Sequence, residues 1–293
     1  MQPADAALPE SRPVCPEHPD LPSVATCERC GRFLCETCAV TRSPPRCGDC
    51  HQRLGNGFGV LTEPFSIGQS LSGGWRLFRH ALPTILPLAL LFGIPGGLFT
   101  HFLESNTEDA VRIWRWTSIY ESLMGNLGIG TWLALLVGIA EGQRPRAAEA
   151  FRQGASAWPR VFGASFRTNL QVVLLMLLLV IPGLVRSVTL FLSVESAFRE
   201  PGRNGLETSA RLVDGRRWEI FGLLLVAYLP PVIVTVALAF IAGFFSEFVP
   251  ASGMAVAIVV DAAGRVLEAL TCAVSLCAYY GLKHAHGEQL PPR

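Results

Sequence analysis

The chain has 293 residues, of which 50% are hydrophobic and only 16% charged, and its formal net charge is +1. This composition excludes an ordinary soluble protein over most of the length and points to a membrane protein. Basic and acidic residues also balance between Cys15 and Cys50, so no basic stripe is available to bind nucleic acid.

Seven of the nine cysteines and one histidine form four donor pairs, which follow residues 1–14, a leader expected to be disordered. Two residues separate the donors of each pair, a spacing that lets both reach one zinc ion from a tight turn. Disulfides are disfavoured, because no secretory signal pattern opens the chain and seven thiols are an odd number. The pairs are Cys15 and His18, Cys27 and Cys30, Cys35 and Cys38, and Cys47 and Cys50.

Eight donors predict two closed zinc sites, and they can be shared between the ions in two ways. In the sequential pairing, the first two pairs hold one ion and the last two pairs hold the other. In the interleaved pairing, the first and third pairs share one ion, and the second and fourth pairs share the other. The spacing alone does not choose between these pairings. In both, the ligand sets are full, which disfavours a catalytic zinc with an open position for water.

The pattern Cys-x2-His-x8-Cys-x2-Cys-x4-Cys-x2-Cys resembles a B-box zinc finger over residues 15–51. The resemblance implies a small cross-braced module with two zinc ions. Site 1 would be Cys15, His18, Cys35 and Cys38, and site 2 would be Cys27, Cys30, Cys47 and Cys50. B-boxes commonly carry histidines at the last pair, so His51 is a possible substitute donor there.

A module of this size cannot bury a sufficient core, so we expect zinc to supply much of its folding energy. Gly31 follows Cys30 directly and is expected to take the left-handed backbone conformation of the turn. The apolar residues available to cover the sites, and therefore expected to form a mini-core, are Val24, Phe33, Leu34 and Val40.

Beyond a Gly-rich and polar linker, residues 52–66, the chain becomes strongly apolar and is expected to form a helical transmembrane domain over residues 67–287. Residues 67–79 have the spacing of an amphipathic helix at the membrane surface. Runs with few or no charges, each close to the length of a membrane span, then follow. They are residues 81–100, 122–140, 168–185, 220–246 and 251–282.

Arginine is concentrated in alternate connections, which predicts that both termini and the cysteine-rich module face the cytoplasm. This orientation requires residues 168–195 to form either two crossings or a re-entrant hairpin, with a turn predicted at Pro182-Gly183. The charged segment that follows, residues 195–219, is expected to be a solvated connector whose short helix ends at Gly215. Arginine far outnumbers the single lysine, which favours a GC-rich bacterial source and hence the inner membrane.

Five segments resemble, in order and spacing, the membrane-domain superfamily that includes the membrane part of glycerophosphodiester phosphodiesterases. The resemblance implies an α-helical bundle of about six membrane segments, followed by a short tail, residues 288–293. It does not imply phosphodiesterase activity, because that chemistry belongs to a separate barrel for which this chain has no room. The segments are SIGQSLSGGWRLFRHALPTILPLALL, EGQRPRAAEAFRQG, IPGLVRSVTLFLSVESAF, LETSARLVDGRRWEIFGL and CAYYGLKHAHGEQL.

Asp261, Arg265 and Glu268 lie on one stripe of a helix within the last apolar run. Charges at membrane depth usually face protein or water and mark functional paths. The alternative is that residues 251–265 lie partly above the bilayer and the span begins near Val266. Arg186, in the middle of the predicted hairpin, is the other candidate for a polar site inside the membrane.

No serine and histidine are placed as a nucleophile and base inside the bundle, and no Gly-x-Ser-x-Gly motif occurs, so a membrane protease is the weakest hypothesis. We expect a non-enzymatic membrane protein whose zinc module docks a cytoplasmic protein or regulates the bundle. The alternative is a transporter, or a sensor of lipid or small molecules, that the zinc finger regulates. Polar groups converging inside the membrane would favour the alternative.

Overall fold

The computed structural model describes residues 13–27, 31–42, 45–48, 65–143, 145–248 and 253–287. The chain divides into two compact units, Met1–Gly57 and Phe58–Arg293, termed here the cysteine-rich module and the helical unit. Several predictions lie outside the described residues. These concern Cys30, Cys50, His51, most of the leader, residues 52–64 of the linker, and the tail 288–293.

The described part of the cysteine-rich module is built from three short antiparallel hairpins. The glycine prediction is confirmed: φ of Gly31 is +71°. Its amide donates a 2.9 Å hydrogen bond to the carbonyl oxygen of Cys27, which closes the turn after that donor. The strands are β1 (Val14–Cys15), β2 (His18–Pro22), β3 (Ala25–Thr26), β4 (Phe33–Leu34), β5 (Ala39–Arg42) and β6 (Pro45–Cys47).

The predicted mini-core is only partly correct. Leu34 is fully buried and packs with Cys27 and Cys47, but Val24, Phe33 and Val40 are 59%, 42% and 52% exposed. The register explains the difference, because Ala25 pairs with Leu34 on the inner face of the β3–β4 hairpin, while Thr26 pairs with Phe33 on the other face. A two-stranded hairpin with one covered face leaves alternate apolar residues in solvent.

The helical unit contains nine α-helices and one π-helical turn among its described residues. They are α1 (Ile67–Asn106), α2 (Ala110–Tyr120), the π-helix (Glu121–Gly125), α3 (Asn126–Ala140), α4 (Ala147–Leu178), α5 (Val180–Thr189), α6 (Ser193–Arg199), α7 (Gly205–Val213), α8 (Arg217–Phe248) and α9 (Gly253–Ala285). Gly215 has φ +79° directly after α7, as predicted.

Five helical stretches of the described chain are long and apolar enough to cross a membrane. They are Ile67–Asn106, Ala110–Ala140, Ala147–Leu178, Val180–Arg199 and Arg217–Ile241. The last helix, α9, is not among them, and it carries the three charges of the predicted polar stripe. The number of about six segments therefore stays a prediction.

Residues 67–79 do not form a separate surface helix. They are the first turns of α1, a single helix of 40 residues that begins at an N-cap where Ser66 Oγ accepts from the Gln69 amide. Leu77 and Phe78 are buried in the protein core, so this part of the helix packs against protein rather than only against lipid. Phe65, predicted to lie in the linker, is likewise buried in the same core.

Helices α1 and α9 pack antiparallel and unusually close, and glycine makes the contact possible. A Cβ on Gly93 would lie 2.7 Å from the Ala262 Cα, and one on Gly97 would lie 2.5 Å from the Ile258 Cα. The Gly93-x3-Gly97 spacing is the small-residue pattern that brings membrane helices together. This pattern is visible in the sequence and fixes the register of α9 against α1.

Residues 168–195 fold as two antiparallel helices, and the turn between them lies earlier than predicted. Helix α4 ends at Leu178, Leu179 is extended with φ −156°, and α5 then begins at Val180. Pro182 lies in the first turn of α5, where its missing N–H breaks no hydrogen bond of the helix. The tip of the hairpin is strongly exposed, with Leu177 78% and Ile181 75% accessible. The exposed side chains at the turn are therefore apolar and suited to contact with lipid.

Candidate metal centre and buried charge cluster

The structure brings the first and third donor pairs of the cysteine-rich module together. The ligand atoms of Cys15, His18, Cys35 and Cys38 all lie within 4.8 Å of one another. Cys15 and His18 face each other across the β1–β2 hairpin, while Cys35 and Cys38 occupy the turn after β4. Three thiols and one imidazole at this spacing can hold one metal ion, and they are a ligand set that zinc prefers.

Hydrogen bonds inside this cluster orient the donors. His18 Nδ1 lies 3.4 Å from the Cys35 Sγ and 3.2 Å from the Cys38 Sγ, so Nδ1 is the imidazole atom that faces the sulfurs. The Thr37 hydroxyl, 3.1 Å from the Cys35 Sγ, lowers the pKa of that thiol to about 6. Cys35 is therefore largely a thiolate at neutral pH, the form that binds metal.

A second layer of contacts supports the cluster. The Cys38 Sγ lies 3.5 Å from Glu17 Oε2, and the other oxygen of Glu17 accepts a 2.6 Å hydrogen bond from Arg32 Nη1. Burial raises the pKa of the Cys38 thiol to about 12 when no cation is bound. Such outer contacts usually fix ligand orientation and tune affinity.

The second predicted ligand set is described only in part. Cys27 and Cys47, one from each of its two pairs, are both buried, and the Cys47 amide approaches the Cys27 Sγ to 3.5 Å. Cys30 and Cys50 lie outside the described residues, as does His51.

In the helical unit, the predicted stripe on α9 is the centre of a buried charge cluster. Arg265 is 6% exposed, and its guanidinium forms ion pairs with three carboxylates. Its Nη2 lies 2.6 Å from Glu121 Oε1, its Nε lies 3.5 Å from Asp261 Oδ2, and its Nη1 lies 3.5 Å from Glu268 Oε2. Glu268 also accepts a 3.2 Å hydrogen bond from the indole of Trp132.

The sequence interpretation missed Glu121, because that residue marked the end of an apolar run. In the structure it opens the π-helical turn between α2 and α3, and such turns are frequent at functional sites. Gly96 of α1 makes room for the cluster, because an added Cβ there would lie 2.5 Å from Asp261 Oδ2.

The register of α9 against α1 shows where this cluster lies along the apolar run of α1. Ala262 packs against Gly93, so Arg265, one turn further along an antiparallel helix, lies opposite about residue 90 of α1. Residue 90 is the middle of the charge-free run 81–100, about 15 Å from either end of that run. A membrane centred on this run would place Arg265 near its midplane.

The cluster forms the floor of a cavity of about 810 Å³ between α1, α8 and α9. Its walls include His101, Glu104 and Thr235, and its apolar lining includes Val256 and Val260. The cavity therefore extends from the carboxyl end of α1 to the buried ion pairs.

The fourth predicted polar residue is used elsewhere. Arg186 donates from Nε and Nη2 to the Gln171 Oε1, at 3.0 and 2.6 Å, which ties the two arms of the α4–α5 hairpin. It does not line the cavity.

A second polar network continues along the same face of α9, at residues that were expected to lie in or near a solvated connector. Glu195 is buried and accepts a hydrogen bond from Ser275. Glu200 accepts from Tyr279 at 2.6 Å and pairs with Lys283 at 2.7 Å. The connector prediction is wrong for these two glutamates, because α6 packs into the core instead of lying in solvent.

Comparison with known proteins gives no match: no protein family, no curated protein and no solved structure is similar to this chain. The resemblances to a B-box finger and to the phosphodiesterase membrane-domain superfamily therefore stand on sequence pattern alone. What the chain shows directly is a Cys/His cluster that can hold a metal ion and several helices suited to a membrane.

Proposed function

We propose that this chain is a non-enzymatic membrane protein whose amino-terminal module binds zinc and docks a cytoplasmic protein. The observation that carries the proposal is a small module whose interior consists largely of metal donors and whose apolar residues lie largely outside. Leu34 is the one large aliphatic residue of the described module that is fully buried. Metal ligation therefore takes the place of a hydrophobic core, and the surface is left for a partner.

The donor chemistry supports zinc in site 1, made of Cys15, His18, Cys35 and Cys38. The donors of site 1 come from the first and third pairs, which agrees with the interleaved pairing. The proximity of Cys27 to Cys47 supports the same pairing for a second ion, with Cys30 and Cys50 as its other ligands. When bound, zinc would supply folding energy and would cross-brace the hairpins. The Thr37 hydroxyl would orient Cys35 by donating a hydrogen bond to its thiolate.

The exposed apolar side chains support docking. Val24 and Phe33 lie on the same outer face of the β3–β4 hairpin, because Phe33 pairs with Thr26 and Val24 lies two residues before Thr26. Val14, Leu21 and Val40 are also 43% to 52% exposed on this small unit. A group of exposed apolar side chains on so small a unit is typical of a protein-interaction site. The arginine distribution supports a cytoplasmic position for this site.

A photo-crosslinking amino acid at position 33 tests this proposal in cells that express the full chain. We expect one discrete protein adduct, which is lost when Cys35→Ser removes a zinc ligand. The matched control carries the crosslinker at Glu36, an exposed polar position of the same module. No adduct at position 33, or the same adduct at both positions, would refute docking through this face.

A second candidate function is supported by the cavity of the helical unit. A cavity of about 810 Å³ that reaches a buried arginine and three carboxylates is in the size range of small-molecule sites. Charged residues at membrane depth usually line substrate or ion paths. We therefore propose that the helical unit transports or senses a small molecule, with the zinc module as its regulator.

Native mass spectrometry of the full chain released from membranes tests this second candidate. Val256→Trp fills the cavity, whereas Val259→Trp changes a residue of the same helix that is 66% exposed and does not line it. We expect a small molecule to remain bound to the wild type and to Val259→Trp, and to be absent from Val256→Trp. Equal occupancy in both variants would mean that the cavity is not the site.

A further inference from the structure

We propose that the cavity between α1, α8 and α9 binds small organic cations, and that these cations exchange with protons on the carboxylates around Arg265. This inference rests on the small-molecule function proposed above and specifies the chemical class of the ligand.

The charges of the cluster do not balance. Glu121, Asp261 and Glu268 all contact the single guanidinium of Arg265, so two negative charges remain when the three carboxylates are ionised. Glu104 adds a further carboxylate to the cavity wall. An anion entering the cavity would meet an arginine whose charge is already neutralised by three partners, whereas a cation would meet uncompensated carboxylates.

The groups that face the cluster from the surrounding helices do not restore the balance. Described residues of each packed element contribute polar or titratable groups. They are His101 and Glu104 of α1, Tyr120 of α2, Glu121 of the π-helix, Trp132 of α3, Thr235 of α8, and Asp261, Arg265 and Glu268 of α9. Among these, Arg265 is the permanent cation, and His101 lies one turn or more above the floor, at the carboxyl end of α1.

Excess negative charge is costly near the middle of a membrane, where water is scarce and the dielectric constant is low. The cluster must therefore take up protons or a bound cation. The two compete for the same oxygens, so the cation is bound when protons leave and released when protons return. Asp261 and Glu268 both line the cavity with partly exposed side chains, so a cation in the cavity can reach their carboxylates.

The walls indicate an organic ion rather than a metal ion. Beside the carboxylates, Val256, Ala257, Val260 and Ala239 line the cavity with aliphatic groups, against which the apolar part of an organic ion can pack. A volume of about 810 Å³ also exceeds what an inorganic ion needs. An amine or quaternary ammonium head at the carboxylates, with its apolar body along these side chains, satisfies both parts of the site.

Calorimetric titration of the full chain in lipid nanodiscs with benzyltrimethylammonium tests this inference. Benzyl alcohol and benzoate are the neutral and anionic probes of related shape. We expect the cation alone to bind at pH 8, with its affinity falling about tenfold per pH unit in the acidic range if one proton is exchanged. Glu268→Gln and Asp261→Asn should each weaken the cation at least tenfold, a loss of one charge–charge contact in a buried site.

Glu149→Gln, at an exposed acid of α4 outside the cavity, is the matched control and should leave binding unchanged. Glu121→Gln removes the most exposed of the three carboxylates and keeps the test valid if a more buried variant fails to fold. Cation binding that is independent of pH, or equal in the wild type and the folded carboxylate variants, would overturn the inference.

The outcomes also separate the two proposals. If benzyl alcohol or benzoate binds as well as the cation and Val256→Trp abolishes all binding, the small-molecule site stands and its preference for cations is refuted. If no probe binds the folded protein, the cation site is refuted, and native mass spectrometry of the endogenous ligand decides separately on the small-molecule function.

Discussion

Replacing Arg265 with glutamine will destabilise the helical unit by about 3 kcal/mol at pH 7, because three carboxylates lose their shared cation. Breaking a buried ion pair from one side costs about 3–5 kcal/mol. The side chains of Asp261 and Glu268 are 21% and 24% exposed, so each contributes to this cost. Glu121 is 43% exposed and adds less than about 1 kcal/mol. We therefore expect a destabilisation at the lower end of this range, because protonation can relieve part of the repulsion between the carboxylates.

The free energy of unfolding can be measured in mixed micelles by tryptophan fluorescence, which also reports on Trp132 beside the cluster. Combining Arg265→Gln with Glu268→Gln should restore part of the loss, because the double variant has one carboxylate fewer to leave unpaired. The effect of Arg265→Gln should shrink as the pH falls and the carboxylates become neutral. A loss below about 1 kcal/mol at pH 7, or a double variant less stable than the single one, would refute the reasoning.

Three further predictions concern packing, the second polar network and the metal centre. Gly97→Ala should cost about 2 kcal/mol, because its Cβ would lie 2.5 Å from the Ile258 backbone; Gly68→Ala in the same helix has open space and should be neutral or stabilising by about 0.5–1 kcal/mol. Equal effects of the two alanines on thermal stability would contradict the close packing of α1 and α9. Lys283→Met removes the 2.7 Å partner of the buried Glu200, which keeps Arg203 at 3.1 Å, and should cost about 2 kcal/mol, the value of one buried hydrogen bond between charged groups. Arg217→Met, in the exposed pair with Asp214, should cost less than about 1 kcal/mol; chemical unfolding of both variants checks this, and similar losses would argue against a buried pair. Glu17→Gln should strengthen zinc binding in a chelator competition, because the Glu17 carboxylate accepts a hydrogen bond from the protonated Cys38 thiol and so disfavours the thiolate that binds metal; weaker binding by this variant would contradict that reading of the contact. Zinc affinity should also fall as the pH drops through about 6, where the Cys35 thiolate takes up a proton; affinity that is constant from pH 7 to 5 would contradict a thiolate site.

The sequence predicted the local features whose cause is local. The x2 spacing of the donors, the left-handed Gly31 and the apolar runs are each set by a few neighbouring residues, and the structure contains them. The stripe of Asp261, Arg265 and Glu268 follows from helical periodicity alone.

The features that the sequence missed depend on partners distant in the chain. Glu121 meets Arg265 across 144 positions, and no local pattern distinguishes it from a residue at the end of a span. Burial of Glu195 and Glu200 likewise depends on Ser275, Tyr279 and Lys283 of α9. Proline breaks a helix in its interior, which predicts a turn at Pro182-Gly183. Proline is favourable in the first turn of a helix, however, and the chain turns at Leu179 instead.

The mini-core prediction failed for a related reason. Apolar residues form a core only where other parts of the protein cover them. A hairpin of two short strands has one covered face, so the apolar residues on its other face stay exposed. Phe33 and Val24 are thus exposed, although their apolar side chains alone would suggest burial. The docking proposal rests on this exposure of apolar side chains.

The central claim, that metal replaces a core in the cysteine-rich module, is tested most directly by elemental analysis of the purified full chain. The interleaved arrangement predicts two zinc ions per wild-type chain, and one ion after either Cys35→Ser or Cys27→Ser, while Cys272→Ser in the helical unit keeps both. Substantially less than two equivalents of zinc in the folded wild type, or loss of zinc from Cys272→Ser, would contradict the claim.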